Sequence, residues 1–146
     1  MTNTDVSFGR PTSTSTDPHE SLGNVVVPVV LHVKVPARSF AEGSTYRLLV
    51  GDEEGSTPIC IGLQCCEPGY ESVLHSHPYL ETITILIGRG EAWSEDLDQM
   101  VPLEPGVTVV FPPNVKHRFW VAGSEPLHIL GVHASPRRIV HVHHNE

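Results

Sequence analysis

The sequence predicts an all-β protein, either an antiparallel sandwich or a barrel. Short segments rich in β-branched and aromatic residues follow one another from about residue 25 to the end of the chain. The breaks between them hold the residues that turns need, as in Gly51-Asp52, Pro68-Gly69 and Pro105-Gly106. No segment keeps a helical period beyond a turn or two, so long helices are not expected.

Ten segments are predicted as strands. The first, residues 25–35, is β-branched almost throughout, and its Pro28 indicates a sheet edge or a bulge, because proline lacks the N–H that a central strand donates. The others concentrate Val, Ile, Leu, Thr and aromatic residues over lengths that are usual for strands. They cover residues 45–50, 58–66, 71–77, 81–88, 91–95, 107–112, 116–122, 127–133 and 138–144.

The first 23 residues differ in composition from the rest of the chain. They are rich in Ser, Thr and Pro and nearly devoid of large apolar side chains, so they cannot bury enough surface to offset the entropy of ordering. We therefore predict a disordered tail at residues 1–23 and a single domain at residues 24–146.

Charge and composition argue against several classes of partner. The formal charge is −8 and the nine basic residues are scattered, whereas nucleic acid requires clustered Lys and Arg. No run approaches the roughly 18 to 20 apolar residues that cross a bilayer, and the N-terminus lacks the features of a secretory signal. Three cysteines do not make a disulfide framework. We therefore expect a cytoplasmic protein with free thiols, and neither nucleic acid nor a membrane as its partner.

Strand alternation places an unusual set of polar residues on a buried face. Side chains two apart on a strand share a face, so His75 and His77 point the same way, about 6.7 Å apart along the chain. The same alternation continues through the next segment and adds Glu81, Ile83, Ile85 and Ile87 to that face. Because the isoleucines mark the buried side, the imidazoles and the carboxylate are predicted to face the core.

Buried imidazole and carboxylate groups need a partner, and a divalent transition metal is a suitable one. Neutral nitrogen and anionic oxygen are ligands that Fe, Mn, Ni and Zn accept. A further candidate ligand, His117, begins a strand downstream, after the turn formed by Pro112, Pro113 and Asn114.

These residues resemble the two motifs of the cupin family. The first motif is a Gly, five residues, His-x-His, three residues, Glu, six residues and Gly, which matches Gly69, His75, His77, Glu81 and Gly88. The second is a Gly, five residues, Pro and then His, which matches Gly106, Pro112 and His117. The glycine usual two positions after the proline is replaced by Asn114, which also tolerates a left-handed backbone. The resemblance covers roughly residues 25–136.

The resemblance implies a double-stranded β-helix, the jelly-roll cupin barrel, with one metal ion inside it. Carried over to this sequence, the metal ligands are His75, His77, Glu81 and His117. They would leave one or two positions for water, substrate or dioxygen. Fe is the expected ion, with Mn, Ni and Zn as alternatives. Among these residues Glu81 is also a candidate catalytic residue.

Several other residues are weaker candidates. His128 and His133 lie on opposite faces of one predicted strand, so at most one of them enters the cavity. His133 is the candidate catalytic base, although a structural histidine is the commoner outcome. Arg47 could meet a substrate carboxylate, although an exposed arginine is the commoner outcome. Phe119 shares the face of His117 and should line the cavity, and Trp120 should face away.

The C-terminal sequence HVHHNE, residues 141–146, also contains metal-binding groups. We expect it to form a frayed chain end, where metal binding would be adventitious.

The cupin fold hosts many activities, so function is predicted only as a class. A metal-dependent Fe(II) oxygenase acting on a small organic molecule is the leading hypothesis. The alternatives are a lyase, isomerase or cyclase in which the metal is a Lewis acid, and a module that binds a small molecule without catalysis. Since cupin domains commonly pair through N-terminal strands, residues 25–35 indicate a homodimer.

Overall fold

The computed structural model describes residues 28–97 and 99–144. The predicted tail at residues 1–23 lies outside this part of the chain. The described residues form eleven strands and one short 3-10 helix, His32–Lys34. The strands are β1 (Arg38–Ala41), β2 (Ser44–Val50), β3 (Cys60–Cys66), β4 (His75–Ser76), β5 (Glu81–Ile87), β6 (Arg89–Ser94), β7 (Val101–Leu103), β8 (Thr108–Phe111), β9 (His117–Ala122), β10 (Leu127–His133) and β11 (His141–Val142).

Two antiparallel sheets make up the fold. One sheet has the strand order β1-β2-β3-β10-β5-β8, and the other has the order β11-β4-β9-β6-β7. The predicted all-β, double-sheet jelly roll is therefore confirmed. No described helix is long and apolar enough to cross a membrane.

The core is a set of apolar side chains from both sheets. Ile85 from β5 and Leu127 and Ile129 from β10 are almost completely buried, together with Leu103 and Phe119 from the second sheet. Each such side chain stabilises the fold by roughly 1.5 to 3 kcal/mol relative to an exposed position. This core holds the two sheets together and fixes the positions of the polar residues that lie beside it.

Alternation along β5 confirms most of the predicted buried face. Glu81, Ile83 and Ile85 are buried, but Ile87 is 52% exposed, so its predicted burial is wrong. The pairing of β5 with β10 shifts its register between His128 and Ile129. Such a shift adds a residue to one strand and ends the simple alternation, so Ile87 no longer follows the face of Ile85.

The segment at residues 28–35 is not a strand, which corrects the prediction for the described part of residues 25–35. Its apolar side chains are exposed, Val29 at 80% and Val33 at 85%. β-Branched residues favour a strand only where a neighbouring strand pairs with them, and within the described residues this segment has no strand partner. The predicted strand at residues 71–77 shortens to His75–Ser76. Two strands, β1 and β7, were not predicted.

The free thiols and the left-handed turn residue agree with the sequence analysis. All three cysteines are unpaired, with Cys60 and Cys66 buried and Cys65 half-buried. Asn114 has a φ of 65°, and no other described residue except glycine has a positive φ. The asparagine therefore takes the backbone conformation that a glycine would take at this turn.

Gly88 provides a direct test of how closely the end of β5 approaches the residues at the start of β10. Its φ is +84°, and an added Cβ would lie 2.3 Å from the carbonyl oxygen of Pro126. We expect Gly88→Ala to lower the free energy of unfolding by about 2 to 5 kcal/mol, because backbone strain and overpacking add together.

Gly106→Ala is the matched control for this measurement by urea denaturation. Gly106 has a φ of +92°, but no atom lies within 4 Å of its added Cβ. Gly106→Ala should therefore lower the free energy of unfolding only by the backbone strain, about 1 to 2 kcal/mol. Equal losses for the two variants would contradict the close packing at Gly88.

Candidate metal centre and cavity

The two sheets bring five polar residues together at one place. His75 on β4 lies directly opposite His117 on β9, and His77 follows β4. Glu81, at the start of β5 in the other sheet, lies opposite His133 at the end of β10. The site is therefore built by cross-strand pairing in each sheet and by the packing of one sheet on the other.

Four of these residues form a compact set of ligand atoms. His75, His77, Glu81 and His117 are all buried, and each offers one ligand atom within 4.8 Å of the others. The Oε2 atom of Glu81 lies 3.0 Å from Nε2 of His117 and 3.1 Å from Nε2 of His77. The structure thus brings together the four residues that the resemblance implied as metal ligands.

Backbone carbonyl groups fix the orientation of the three imidazoles. Nδ1 of His75 lies 2.7 Å from the carbonyl oxygen of Val73, and Nδ1 of His117 lies 2.9 Å from that of Val115. Nδ1 of His77 bonds to the carbonyl of Ile139. Because a carbonyl oxygen can only accept, each Nδ1 carries a proton, and a neutral imidazole then has its lone pair on Nε2.

This arrangement leaves negative charge that needs a cation. Burial by itself would raise the pKa of the Glu81 carboxyl, but contacts with His117 and His77 outweigh this effect and lower it below the ordinary value. Burial is also the main reason why the pKa of His75 falls to about 4, which favours a neutral ring. An ionised carboxylate beside imidazole lone pairs is stable only if protons or a metal ion supply positive charge.

The donor set fits a divalent transition metal. Metal–ligand distances of about 2.0 to 2.2 Å require ligand atoms roughly 3 to 4.4 Å apart, which agrees with a cluster whose atoms lie within 4.8 Å. Nε2 of His77 is buried and lacks a hydrogen-bond partner in spite of its short distance to Glu81. A metal ion would satisfy this nitrogen, and the bonds from Nδ1 to carbonyl groups are the usual outer support of histidine ligands.

A cavity of about 310 Å³ opens onto the cluster. His75 and Glu81 line one part of it, and apolar side chains line much of the rest. The apolar lining residues include Phe40, Ile83, Phe119, Ile129, Val140 and Val142. A volume of this size holds on the order of ten non-hydrogen atoms, since a water molecule occupies about 30 Å³.

His133 lies inside this cavity, next to the cluster. Its Nε2 is 3.5 Å from Oε1 of Glu81, and its Nδ1 is buried without a hydrogen-bond partner. Burial is the main cause that lowers the pKa of His133 to about 4, so the ring is neutral near pH 7. The nearby carboxylate favours a proton on Nε2, which leaves the lone pair on Nδ1.

The other candidates from the sequence differ in whether they line the cavity. Phe119 lines the cavity and Trp120 faces away, with its indole N–H donating to Glu91, as predicted. His128 lies outside the cavity beside Cys65, with 3.4 Å between Nε2 and Sγ.

Arg47 does not reach the cavity, so its proposed contact with a substrate carboxylate is wrong. Its guanidinium group donates to the carbonyl of Val35 instead. On the same strand the neighbouring Tyr46 faces the cavity, as alternation along a strand requires.

The prediction that the C-terminal segment is frayed is wrong for its described residues. Residues His141–Val142 form β11, which pairs with β4 beside the cluster, and Val142 lines the cavity. Nε2 of His143 lies 2.9 Å from Oγ of Ser76. The segment before β11 also supplies the carbonyl of Ile139 that holds His77. This region therefore supports the cluster, and residues 145 and 146 lie outside the described chain.

The polar residues of the cavity wall that sequence reasoning missed include Tyr46 and Arg138. Tyr46 lies across Gly62, where an added Cβ would meet its ring at 1.9 Å. A glycine inside an otherwise apolar strand signals such a close approach and could have indicated this packing. For Arg138, in the segment between β10 and β11, the sequence contains no comparable signal.

Comparison with known proteins identifies the fold family. A family model described as a cupin domain matches residues 62–133, which include both motifs and all four cluster residues. The protein contains a cupin domain. Comparison of this cupin with curated proteins gives no match.

Solved structures of other cupins are similar over most of their length. The polyketide cyclase RemF from Streptomyces resistomycificus has 19% identity and a TM-score of 0.70, covering 83% of this chain and 88% of the cyclase. KdgF from Halomonas sp. has 19% identity and a TM-score of 0.63, covering 76% and 96%. A cupin-like protein from Thermotoga maritima has 26% identity and a TM-score of 0.61, covering 68% and 74%.

The structural neighbours of this cupin also include proteins named as a lyase, a sugar phosphate isomerase and an oxalate decarboxylase. The same fold therefore carries several kinds of chemistry, so the choice among them depends on the residues of the site.

Proposed function

We propose that this cupin is a metal-dependent enzyme that acts on a small organic molecule inside the cavity. The observation that carries this proposal is the position of the cluster, because His75 and Glu81 both line the cavity of about 310 Å³. A metal ion held by His75, His77, Glu81 and His117 would face the bound molecule. A pocket that combines apolar walls with a few convergent polar groups is typical of small-molecule sites.

The chemistry best supported is proton transfer at a carbon next to a carbonyl group, with His133 as the general base. When bound, the metal would supply Lewis-acid polarisation of the substrate oxygen. His133 lines the cavity, and its unpartnered Nδ1 has a lone pair that can accept a proton. Lyases, isomerases and cyclases can all begin with such a step, and this class includes the alternative activities predicted from the sequence.

Exchange of hydrogen for deuterium tests this step without knowledge of the natural substrate. The Zn(II)-loaded protein would be incubated in D₂O with 2-oxo and 4-oxo acids, and loss of the signal next to the carbonyl followed by proton NMR. We expect catalysed exchange, and a loss of about 10²- to 10⁴-fold in His133→Gln with unchanged metal content.

His128→Gln is the matched control, because His128 occupies the same strand but lies outside the cavity. It should exchange at the rate of the unmodified protein. If His133→Gln exchanges hydrogen at the rate of the unmodified protein, His133 is not the base. Absence of exchange in every protein would argue against this chemistry.

A second candidate function is the Fe(II) oxygenase predicted from the sequence. Three imidazoles and one carboxylate fill four of about six positions of an octahedral ion, and two open positions suit both a substrate and dioxygen. The same residues thus support redox chemistry, and the identity of the metal decides between the two candidates.

We also propose a homodimer that covers the exposed apolar residues before β1. Val29, Leu31 and Val33 are more than half exposed, although side chains of this type stabilise a protein when they are buried. Light scattering coupled to size-exclusion chromatography would measure the mass, and replacement of these three residues by Ser should convert a dimer to a monomer. A monomeric unmodified protein would contradict this proposal.

A further inference from the structure

The cavity contains a second polar region, opposite in charge to Glu81. Arg138 lines the cavity, and its Cζ atom lies 4.0 Å from the ring centroid of Phe40 and 5.6 Å from that of Tyr46. Among the ion pairs of the described residues, none includes Arg138. The guanidinium group is therefore held by aromatic rings without a carboxylate to neutralise it.

Two buried polar atoms in this region also lack partners. Nε of Arg138 and the hydroxyl oxygen of Tyr46 are both buried and make no hydrogen bond. Burial is the main cause that raises the pKa of Tyr46, so the hydroxyl keeps its proton and can donate. Buried donors without acceptors are rare in proteins, because leaving one unpaired costs about 1 to 3 kcal/mol.

The charge balance of the cavity favours an anion. Two carboxylates line it, and Glu71 is paired with Arg118 at 3.1 Å. Glu81 belongs to the metal cluster, where a divalent ion would more than neutralise it. The remaining charge near the cavity is then positive at two places, the metal cluster and Arg138.

We propose that Arg138 and the hydroxyl of Tyr46 form a subsite for the carboxylate of the substrate. Another oxygen of the same molecule would face the metal cluster, and this part of the inference rests on the proposed function. The substrate class is accordingly a small carboxylic acid with an apolar body and a carbonyl or hydroxyl group. A guanidinium group matches a carboxylate in shape and charge, and the apolar walls fit a body of on the order of ten non-hydrogen atoms in total.

Benzoate and benzamide are suitable probes, because they have the same shape and differ in charge. Binding to the Zn(II)-loaded full-length protein would be measured by isothermal titration calorimetry. We expect benzoate to bind and benzamide to bind at least about tenfold more weakly, since a hydrogen bond to a charged group exceeds a neutral one by about this factor.

Arg138→Gln should weaken benzoate binding by at least about tenfold without changing the metal content or benzamide binding. Arg137→Gln is the matched control, because the neighbouring guanidinium group is exposed and donates to the carbonyl of Glu54. It should bind benzoate as the unmodified protein does. Tyr46→Phe keeps the ring and removes only the hydroxyl, so it should weaken benzoate binding several-fold even if Arg138→Gln fails to fold.

A benzoate molecule bound at the metal alone gives a different result. Binding would then survive in Arg138→Gln and disappear in His77→Ala, which would overturn the subsite while supporting the metal centre. Equal affinity for benzoate and benzamide, or no binding of benzoate, would also overturn it. The metal centre is tested separately by the metal content. A protein that binds no metal but still binds benzoate through Arg138 would contradict the metal centre and support the subsite.

Discussion

His77→Ala is expected to lose most of the bound metal, with at least about a 100-fold loss of affinity. Removal of an outer-shell partner already costs 10- to 100-fold, and His77 would contribute a ligand directly. Nε2 of His77 is buried, and its ring is oriented by the carbonyl of Ile139, so its removal takes one oriented nitrogen out of the ligand set. Elemental analysis after dialysis against a weak chelator would measure the retained metal.

The terminal histidines provide the control for this prediction. His141 and His144 are exposed, and replacing both by Ala should leave the metal content unchanged. Deletion of residues 137–146 is unsuitable, because it would also remove the carbonyl of Ile139 that orients His77. Retention of metal in His77→Ala, with its loss in the terminal double variant, would place the metal at the chain end and contradict the assignment.

The strand alternation of the cluster could be predicted because it is a local property. His75 and His77 share a buried face, and Glu81, Ile83 and Ile85 continue it along β5, as a period of two requires. His117 could be added only through the resemblance, since alternation does not show which strands become neighbours. The structure supplies the missing link, the direct pairing of His117 with His75.

The residues that were missed depend on contacts between distant parts of the chain. Arg138 lines the cavity because the segment between β10 and β11 runs beside it, and no local pattern encodes that path. Arg47 was only a weaker candidate for contact with a substrate carboxylate, and alternation along β2 places Tyr46 on the cavity side instead. The parity of that strand was available in the sequence, whereas its position beside the cavity was not.

Residues 28–35 show the limit of local propensity. Their β-branched composition predicts a strand, but a strand needs an edge on which to pair, and the described residues of one chain leave these side chains exposed. A second copy of the chain could supply that edge, which is why composition alone could not decide the conformation. The exposed Val29 and Val33 are thus consistent with the proposed dimer.

Replacement of the metal by Zn(II) is expected to distinguish the two candidate functions, because turnover would be kept in one and lost completely in the other. If the metal only polarises an oxygen while His133 moves the proton, protein loaded with Zn(II), Mn(II) or Ni(II) should each keep turnover, and removal of dioxygen should change nothing. An oxygenase would instead lose all turnover with Zn(II), which has no redox chemistry, and would stop without dioxygen.

The measurement would use the 2-oxo or 4-oxo acid that exchanges fastest, with product followed in an anaerobic chamber and dioxygen followed by an electrode in air. Metal content must be equal in all samples, and each sample should remain folded, because each ion would use the same four ligands. We expect Zn(II) protein to turn over without dioxygen and His133→Gln to fail with every ion. Turnover with Fe(II) alone, with dioxygen consumed in proportion to product, would reverse this conclusion. His133 would then be a buried histidine that positions Glu81 across their contact of 3.5 Å, and the cluster would serve redox chemistry.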